Sequence, residues 1–121
     1  MGRVNVVDHK GRRILIQDFS GLHPGEELDR TIDAAKAYIA SQPQQSVLSV
    51  FDATGAVYNT AVLAALKDFT AHNKPYMKAS AVVGAEGILS IAVMAVSRFS
   101  GRTFKGFKDR QSAMDWLVEQ P

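Results

Sequence analysis

The sequence predicts an α/β fold built on a mixed, mostly parallel sheet that begins with an N-terminal β-hairpin. After the hairpin, segments with the hydrophobic period of a helix alternate with short apolar runs, an order typical of parallel strands covered by helices. The 121 residues contain no repeat, linker or low-complexity segment, so we expect one domain over residues 1–121. The expected order of elements is β-β-α-β-α-β-α-β-α.

The hairpin is predicted by two strand-like segments on either side of a turn. Residues 3–8 alternate, with Val4 and Val6 on one side, and residues 13–18 contain an aliphatic run. Between them, residues 9–12 read His-Lys-Gly-Arg, which supplies the glycine and polar side chains of a tight turn. Later strands are expected at residues 47–51, 79–84 and 103–104.

Four helices are expected after the hairpin. The first covers about residues 26–41, and the second begins at Asn59 or Thr60, either of which can cap it. The third covers about residues 86–99, and Asp109 caps the fourth. The apolar stripes are Leu28, Ile32, Ala35 and Ile39 in the first helix, Val62, Leu63, Leu66 and Phe69 in the second, and Ala113, Trp116 and Leu117 in the fourth.

Composition narrows the classes of function. The net charge of +2 comes from charges that are mostly scattered, so we expect no nucleic-acid partner. The chain has no cysteine, which excludes disulfides and thiolate chemistry and favours a cytoplasmic location. No secretion signal or integral membrane segment is evident. The three histidines share no metal-ligand spacing, and we expect no metal and no cofactor.

Several stretches together resemble a known family. They are residues 14–22, residues 52–55 and 58–59, residues 72–84, the Ser-Gly-Arg at 100–102 and residues 113–117. They are similar to the SpoIIAA-like family of small bacterial STAS and SEC14-type domains. The resemblance implies two activities known among relatives. Anti-sigma factor antagonists are switched by phosphorylation of a serine at the start of the helix after the third strand, whereas SEC14-type proteins hold a lipid in an apolar groove.

The antagonists' switch motif resembles Asp-Ser-Ser-Gly just before that helix. The stretch compared with it, residues 57–61, reads Val-Tyr-Asn-Thr-Ala and lacks the motif. Thr60 offers a hydroxyl that a phosphate would suit, because a helix N-terminus favours negative charge. The favoured interpretation is that Asn59 or Thr60 simply caps the helix.

Two carboxylates, Asp18 and Asp52, each end a predicted strand at the carboxyl edge of the sheet, where open α/β sheets bind ligands. Together they could perform acid–base chemistry or hold a divalent cation. The favoured alternative is that each accepts hydrogen bonds from backbone amides of its own loop. With Thr54, Asn59 and Thr60, they form the candidate switch or loop site.

A second candidate region is the apolar segment at residues 88–96, which is followed by a basic stretch. The basic stretch consists of Arg98, Arg102, Lys105, Lys108 and Arg110. A helix that is apolar all round must be covered, but this one is too short to span a bilayer. It is therefore expected either inside the domain, against a second subunit or partner, or along an apolar pocket. The candidate partner or ligand surface is Ile88, Leu89, Ile91, Met94, Arg98 and Arg102.

Three functions follow in order of preference. The first is a non-catalytic regulatory or protein-interaction module that forms a homo-oligomer, because no catalytic set is evident. The second is a SEC14-like carrier in which the apolar segment lines a groove for a lipid or other apolar ligand and the basic stretch holds the head group. The third is an enzyme that uses Asp18 and Asp52.

Overall fold

The structure is a computed structural model that describes residues 2–84 and 104–121. The expected helix at residues 86–99 lies outside the described residues. The same holds for all six residues of the candidate partner or ligand surface, Ile88, Leu89, Ile91, Met94, Arg98 and Arg102.

Within the described residues, five strands form one sheet in the order β1-β2-β3-β4-β5. β1 and β2 are antiparallel, and every later pair of neighbours is parallel. This confirms the mixed, mostly parallel sheet with an N-terminal hairpin. The elements are β1 (Val4–His9), β2 (Arg12–Asp18), α1 (Glu26–Ala40), β3 (Val47–Asp52), α2 (Thr60–Asn73), a 3-10 turn (Lys74–Tyr76), β4 (Met77–Val83), β5 (Lys105–Phe107) and α3 (Arg110–Val118).

The turn of the hairpin consists of two residues with positive φ, Lys10 at 50° and Gly11 at 83°. A two-residue turn of this kind matches the right-handed twist of the strands it connects. It fixes the register in which His9 faces Arg12. The predicted tight turn is confirmed.

Helices cover both faces of the sheet. α1 and α2 pack on the first face, where the core side chains are Leu15, Phe19, Leu22, Leu28, Ile32, Ala35, Ile39, Val47, Val62, Leu66 and Phe69. α3 packs on the second face, where the core side chains are Ile14, Ile16, Leu48, Val50, Ala81, Val83, Ala113 and Leu117. Successive strand residues therefore alternate between the two cores, which is the period of a strand buried on both sides.

Two strand boundaries differ from the sequence prediction. β4 begins at Met77, because its backbone already pairs with Val47 there. The last strand is β5 at Lys105–Phe107 rather than residues 103–104, and it pairs with Ala81 to Val83 of β4. A three-residue strand at the edge of a sheet carries little hydrophobic pattern, so the sequence did not locate it correctly.

The helix caps agree with the sequence prediction. Asn59 Oδ1 accepts a hydrogen bond of 2.8 Å from the Val62 amide, so Asn59 rather than Thr60 caps α2. Asp109 Oδ1 accepts one of 2.8 Å from the Ser112 amide at the start of α3. None of the helices in residues 2–84 and 104–121 has the length and apolar character needed to cross a membrane.

Candidate functional site

Two loops of matching sequence lie side by side at the carboxyl edge of the sheet. β2 and β3 end at directly opposed aspartates, Asp18 and Asp52. Residues 18–21 read Asp-Phe-Ser-Gly and residues 52–55 read Asp-Ala-Thr-Gly. We call these two segments the twin loops. The sequence prediction paired the aspartates but missed the repeated Asp-x-Ser/Thr-Gly pattern, which was the signal that both strands end in the same turn.

Each twin loop is held by its aspartate. Asp18 Oδ1 accepts hydrogen bonds from the Ser20 amide at 3.0 Å and from the Ser20 hydroxyl. Asp52 Oδ1 accepts them from the Thr54 amide at 3.0 Å and the Thr54 hydroxyl at 2.7 Å. An aspartate that binds the amide two residues later stabilises a turn. The expectation that these carboxylates accept hydrogen bonds from their own loops is confirmed.

The twin loops are also bonded to each other. The Phe19 amide donates to the Asp52 carbonyl at 2.9 Å, and the Gly21 amide donates to the Thr54 carbonyl at 2.8 Å. These bonds extend the pairing of β2 and β3 past the ends of the strands, so the two loops form one ordered surface.

Gly84 brings the end of β4 against the second of the twin loops. Its φ is +78°, a conformation that residues with a Cβ rarely adopt. A Cβ at this position would lie 2.8 Å from Thr54 Cα and 2.9 Å from the Thr54 amide nitrogen. The ends of three neighbouring strands therefore converge on Thr54, and the close approach requires glycine.

A guanidinium group occupies the space between the two aspartates. Arg110, the first residue of α3, places Nε 2.7 Å from Asp52 Oδ2 and Nη2 3.3 Å from Asp18 Oδ1. Arg3 Nη1 lies 3.7 Å from the same Asp18 oxygen and donates to the Ser20 carbonyl at 2.9 Å. The sequence placed Arg110 only in a basic stretch and did not single out Arg3. Their pairing depends on contacts between residues far apart in the chain.

These contacts lower the pKa of both carboxyl groups. Burial by itself raises the pKa of Asp18, but hydrogen bonds from Ser20 and the positive charges of Arg110 and Arg3 outweigh it, and the net shift is downward. Burial likewise opposes ionisation of Asp52. Hydrogen bonds from Thr54 and Arg110 outweigh burial, and the pKa of Asp52 is also lowered. A carboxyl group with a lowered pKa is a poor general acid and a weak general base near pH 7.

The other candidate residues have different surroundings. Thr60 is exposed at the first position of α2, and Asn59 uses its side-chain oxygen as the cap. Thr54 is exposed, and the residues that follow β2 and β4 lie against it. In residues 2–84 and 104–121, no three histidine or acidic side chains lie together as metal ligands would.

A family model described as SpoIIAA-like matches residues 14–118. The chain belongs to the SpoIIAA-like family. Among proteins of curated function, none matches the sequence. The twin loops, Gly84 and Arg110 all fall within the part of this SpoIIAA-like chain that the family model covers.

Two solved structures share the fold. An uncharacterized protein from Shewanella loihica with a SpoIIAA-like fold is 20% identical, with a TM-score of 0.69, over 94% of this chain and 91% of that one. An anti-sigma-factor antagonist (STAS) domain protein from Planctomyces limnophilus is 13% identical, with a TM-score of 0.63, over 96% of this chain and 98% of that one. The SpoIIAA-like chain therefore has the architecture of STAS domains.

Proposed function

We propose that this protein is a non-catalytic, regulatory protein-interaction module whose contact surface is centred on the twin loops. The observation that carries the proposal is the Arg110 bridge between Asp18 and Asp52. Asp18 and Asp52 are the pair of carboxylates that the sequence analysis considered for acid–base chemistry or metal binding. The Arg110 guanidinium balances their charge and lies between them. What this edge presents instead is an ordered backbone surface.

The composition of this edge suits a protein partner. Thr54 and Gly55 are exposed at the second of the twin loops, and Val57 exposes 43% of its surface just after it. The Val57 amide donates to the Leu22 carbonyl at 2.8 Å, which ties this apolar side chain to the loop after β2. Of the three large hydrophobic residues that the described part of the chain exposes, Val6, Val7 and Val57, only Val57 adjoins the twin loops, and it is therefore the apolar side chain that this surface offers to a partner.

Thr54 is the residue of this surface that we propose as a regulatory switch. Residues 57–61, just before α2, lack the antagonists' Asp-Ser-Ser-Gly, but residues 52–55 match its first and last positions, and Thr54 supplies a hydroxyl at the third. A phosphate on that hydroxyl would place negative charge beside Asp52 and compete for Arg110, 2.7 Å from the same carboxylate. The SpoIIAA-like family and its likeness to an antagonist domain support this role.

A photo-crosslinking amino acid at Val57 tests the proposed surface in cells. The matched control places the same amino acid at Gln44, which is exposed in the loop before β3. We expect one defined protein adduct from position 57 and none from position 44. A Thr54→Glu substitution should reduce the adduct severalfold, whereas Thr54→Ser should keep it. Equal adducts from both positions, or no adduct from position 57, would contradict the proposal.

Self-association, lipid binding, the cytoplasmic location and the single domain remain predictions. Self-association and the alternative lipid carrier both depend on the apolar segment at residues 88–96, which lies outside the described residues. The cytoplasmic location depends on the lack of cysteine, and the single domain on the lack of a linker. Sedimentation velocity and native mass spectrometry of the purified protein measure whether it forms an oligomer and whether it retains an apolar ligand.

A further inference from the structure

β1 lies at one end of the sheet, and its outer side is open. Within the described residues it pairs with β2 alone, so one row of its backbone N–H and C=O groups has no partner strand. Edge strands are usually protected from further pairing by short length, lysine, proline or a bulge. β5, at the other end of the sheet, has three residues and begins with Lys105. β1 has six residues, contains no lysine or proline, and pairs with β2 in unbroken register.

The middle of β1 exposes apolar side chains on both faces of the sheet. Val6 exposes 41% of its surface and Val7 exposes 37%. Val6 lies on the face of Leu15, its partner in β2, and Val7 lies on the face of Ile14, because successive side chains of a strand point to opposite faces. Leu15 belongs to the core beneath α1, and Ile14 belongs to the core beneath α3. Since both valines remain exposed, the two helices leave the centre of β1 open to a further strand.

The hydrogen bonds to β2 determine which residues of β1 have free backbone groups. The Asp18 amide donates to the Arg3 carbonyl at 2.7 Å, so these two facing residues form a hydrogen-bonded pair. Such pairs recur at every second residue of an antiparallel ladder. The odd-numbered residues of β1 therefore bond to β2. The even-numbered residues Val4, Val6 and Asp8 direct their N–H and C=O groups outward.

We infer that the outer side of β1 pairs antiparallel with β1 of a second copy of this chain and joins the two sheets across a two-fold axis. In the register that uses all three outward residues, Val6 faces the Val6 of the other copy, and Val4 faces Asp8. Each hydrogen-bonded pair exchanges two N–H···O bonds, which gives about six bonds across the interface. A two-fold dimer, in which one surface contacts the same surface of its copy, is the commonest soluble oligomer.

The side chains of β1 are complementary to themselves in this register. The two Val6 side chains meet at the two-fold axis, and on the other face of the sheet Val7 meets Asn5. Asp8 is the charged residue among residues 4–8, and it faces Val4, so no like charges are brought opposite each other. A shift of two residues in either direction would leave Asp8 or Val4 beyond the end of the facing strand.

This contact differs from both regions considered above. It uses a strand of the described fold rather than the apolar segment at residues 88–96, and it does not use the twin loops. A contact made by one strand from each copy is small, so we expect a reversible equilibrium between monomer and dimer rather than a permanent dimer.

Sedimentation velocity at increasing protein concentration tests the pairing. We expect the unmodified chain to change reversibly from monomer to dimer. Val6→Lys places like charges opposite each other at the two-fold axis, and it should weaken the dimer about tenfold. Gln44→Lys adds the same charge in the exposed loop before β3 and should leave the dimer unchanged. Both positions are exposed, so neither substitution removes a side chain from the core.

A disulfide that depends on the register provides a second test, because the chain has no cysteine of its own. Asn5 and Val7 of the two copies face each other in a non-hydrogen-bonded pair, with Cα atoms about 4.5 Å apart, which a disulfide can bridge. A mixture of Asn5→Cys and Val7→Cys chains should therefore oxidise to the mixed dimer severalfold faster than either chain oxidises with itself. The control mixture contains Asn5→Cys and Gln44→Cys chains.

Three results would each overturn the inference. They are a monomer at every concentration, a dimer that Val6→Lys does not weaken, and a mixed disulfide that forms no faster than in the control mixture. Val6→Lys changes no residue of the twin loops, so the adduct expected from position 57 should persist in this variant. The two proposals therefore fail separately.

Discussion

At the scale of single residues, the structure of the carboxyl edge depends on Arg110 and Gly84. Arg110 lies between Asp18 and Asp52 and satisfies both carboxylates. Gly84 allows the end of β4 to touch Thr54, where any larger residue would collide with backbone atoms. The sequence identified both aspartates, but the roles of these residues come from neighbours that lie far away in the chain.

Gly84→Ala tests the close approach at Thr54. We expect it to lower the free energy of unfolding by about 2 kcal/mol or more, because alanine disfavours a positive φ and its Cβ collides with backbone atoms. Gly106→Ala is the matched control, since nothing lies within 4 Å of a Cβ built there. Urea unfolding measures both variants. Equal stability of the two would show that the approach of β4 to Thr54 is looser than the structure indicates.

At the scale of elements, local signals in the sequence located the helices well and the edge strand poorly. The hydrophobic period of α1 agrees with its buried face, and that of α2 agrees except at Leu63, which is only partly buried. The caps at Asn59 and Asp109 agree with the observed hydrogen bonds. β5 is three residues long and pairs with β4 on one side, so its position depends on the neighbouring strand rather than on its own pattern.

Asn59→Ala tests the cap of α2. The substitution removes the acceptor of the Val62 amide, and we expect a loss of about 1 kcal/mol in the free energy of unfolding. Thr60→Ala is the control, because Thr60 is exposed and does not provide the cap. Thermal or urea unfolding distinguishes them. If Thr60→Ala were the more damaging change, the assignment of the cap to Asn59 would be wrong.

At the scale of the whole molecule, the two faces of the sheet are covered in different ways. α1 and α2 cover one face through a large apolar core, and α3 covers the other through a smaller core together with ion pairs at both ends. The carboxyl edge lies where these regions meet, because Arg110 belongs to α3 and the twin loops follow β2 and β3. A partner bound at the proposed contact surface would therefore lie beside residues that also hold α3.

Acid should weaken the fold through Asp18 and Asp52. Their pKa values are lower in the folded chain than the ordinary value of 3.8, so the folded state favours the ionised forms. The stability that they contribute is fully present above pH 3.8 and is lost as the pH falls through the lowered folded values. Urea unfolding at several pH values below 5 measures this loss. The free energy of unfolding of Asp52→Asn should decrease less with acid than that of the unmodified protein. An equally steep decrease would contradict the lowered pKa of Asp52.

The sequence by itself determined the class of fold, the hairpin, most of the helical faces and the cap at Asp109, because these depend on residues that are close together in the chain. It left the cap of α2 open between two neighbours, and the structure assigned it to Asn59. It also identified Asp18, Asp52 and Thr54 at strand ends, since a strand and the turn after it are local. Only the tertiary structure decided that Arg110 and Arg3 pair with Asp18 and that Gly84 contacts Thr54. The physical reason is that a charge pair or a close approach requires two distant segments to meet, and the hydrophobic period of either segment does not specify the other.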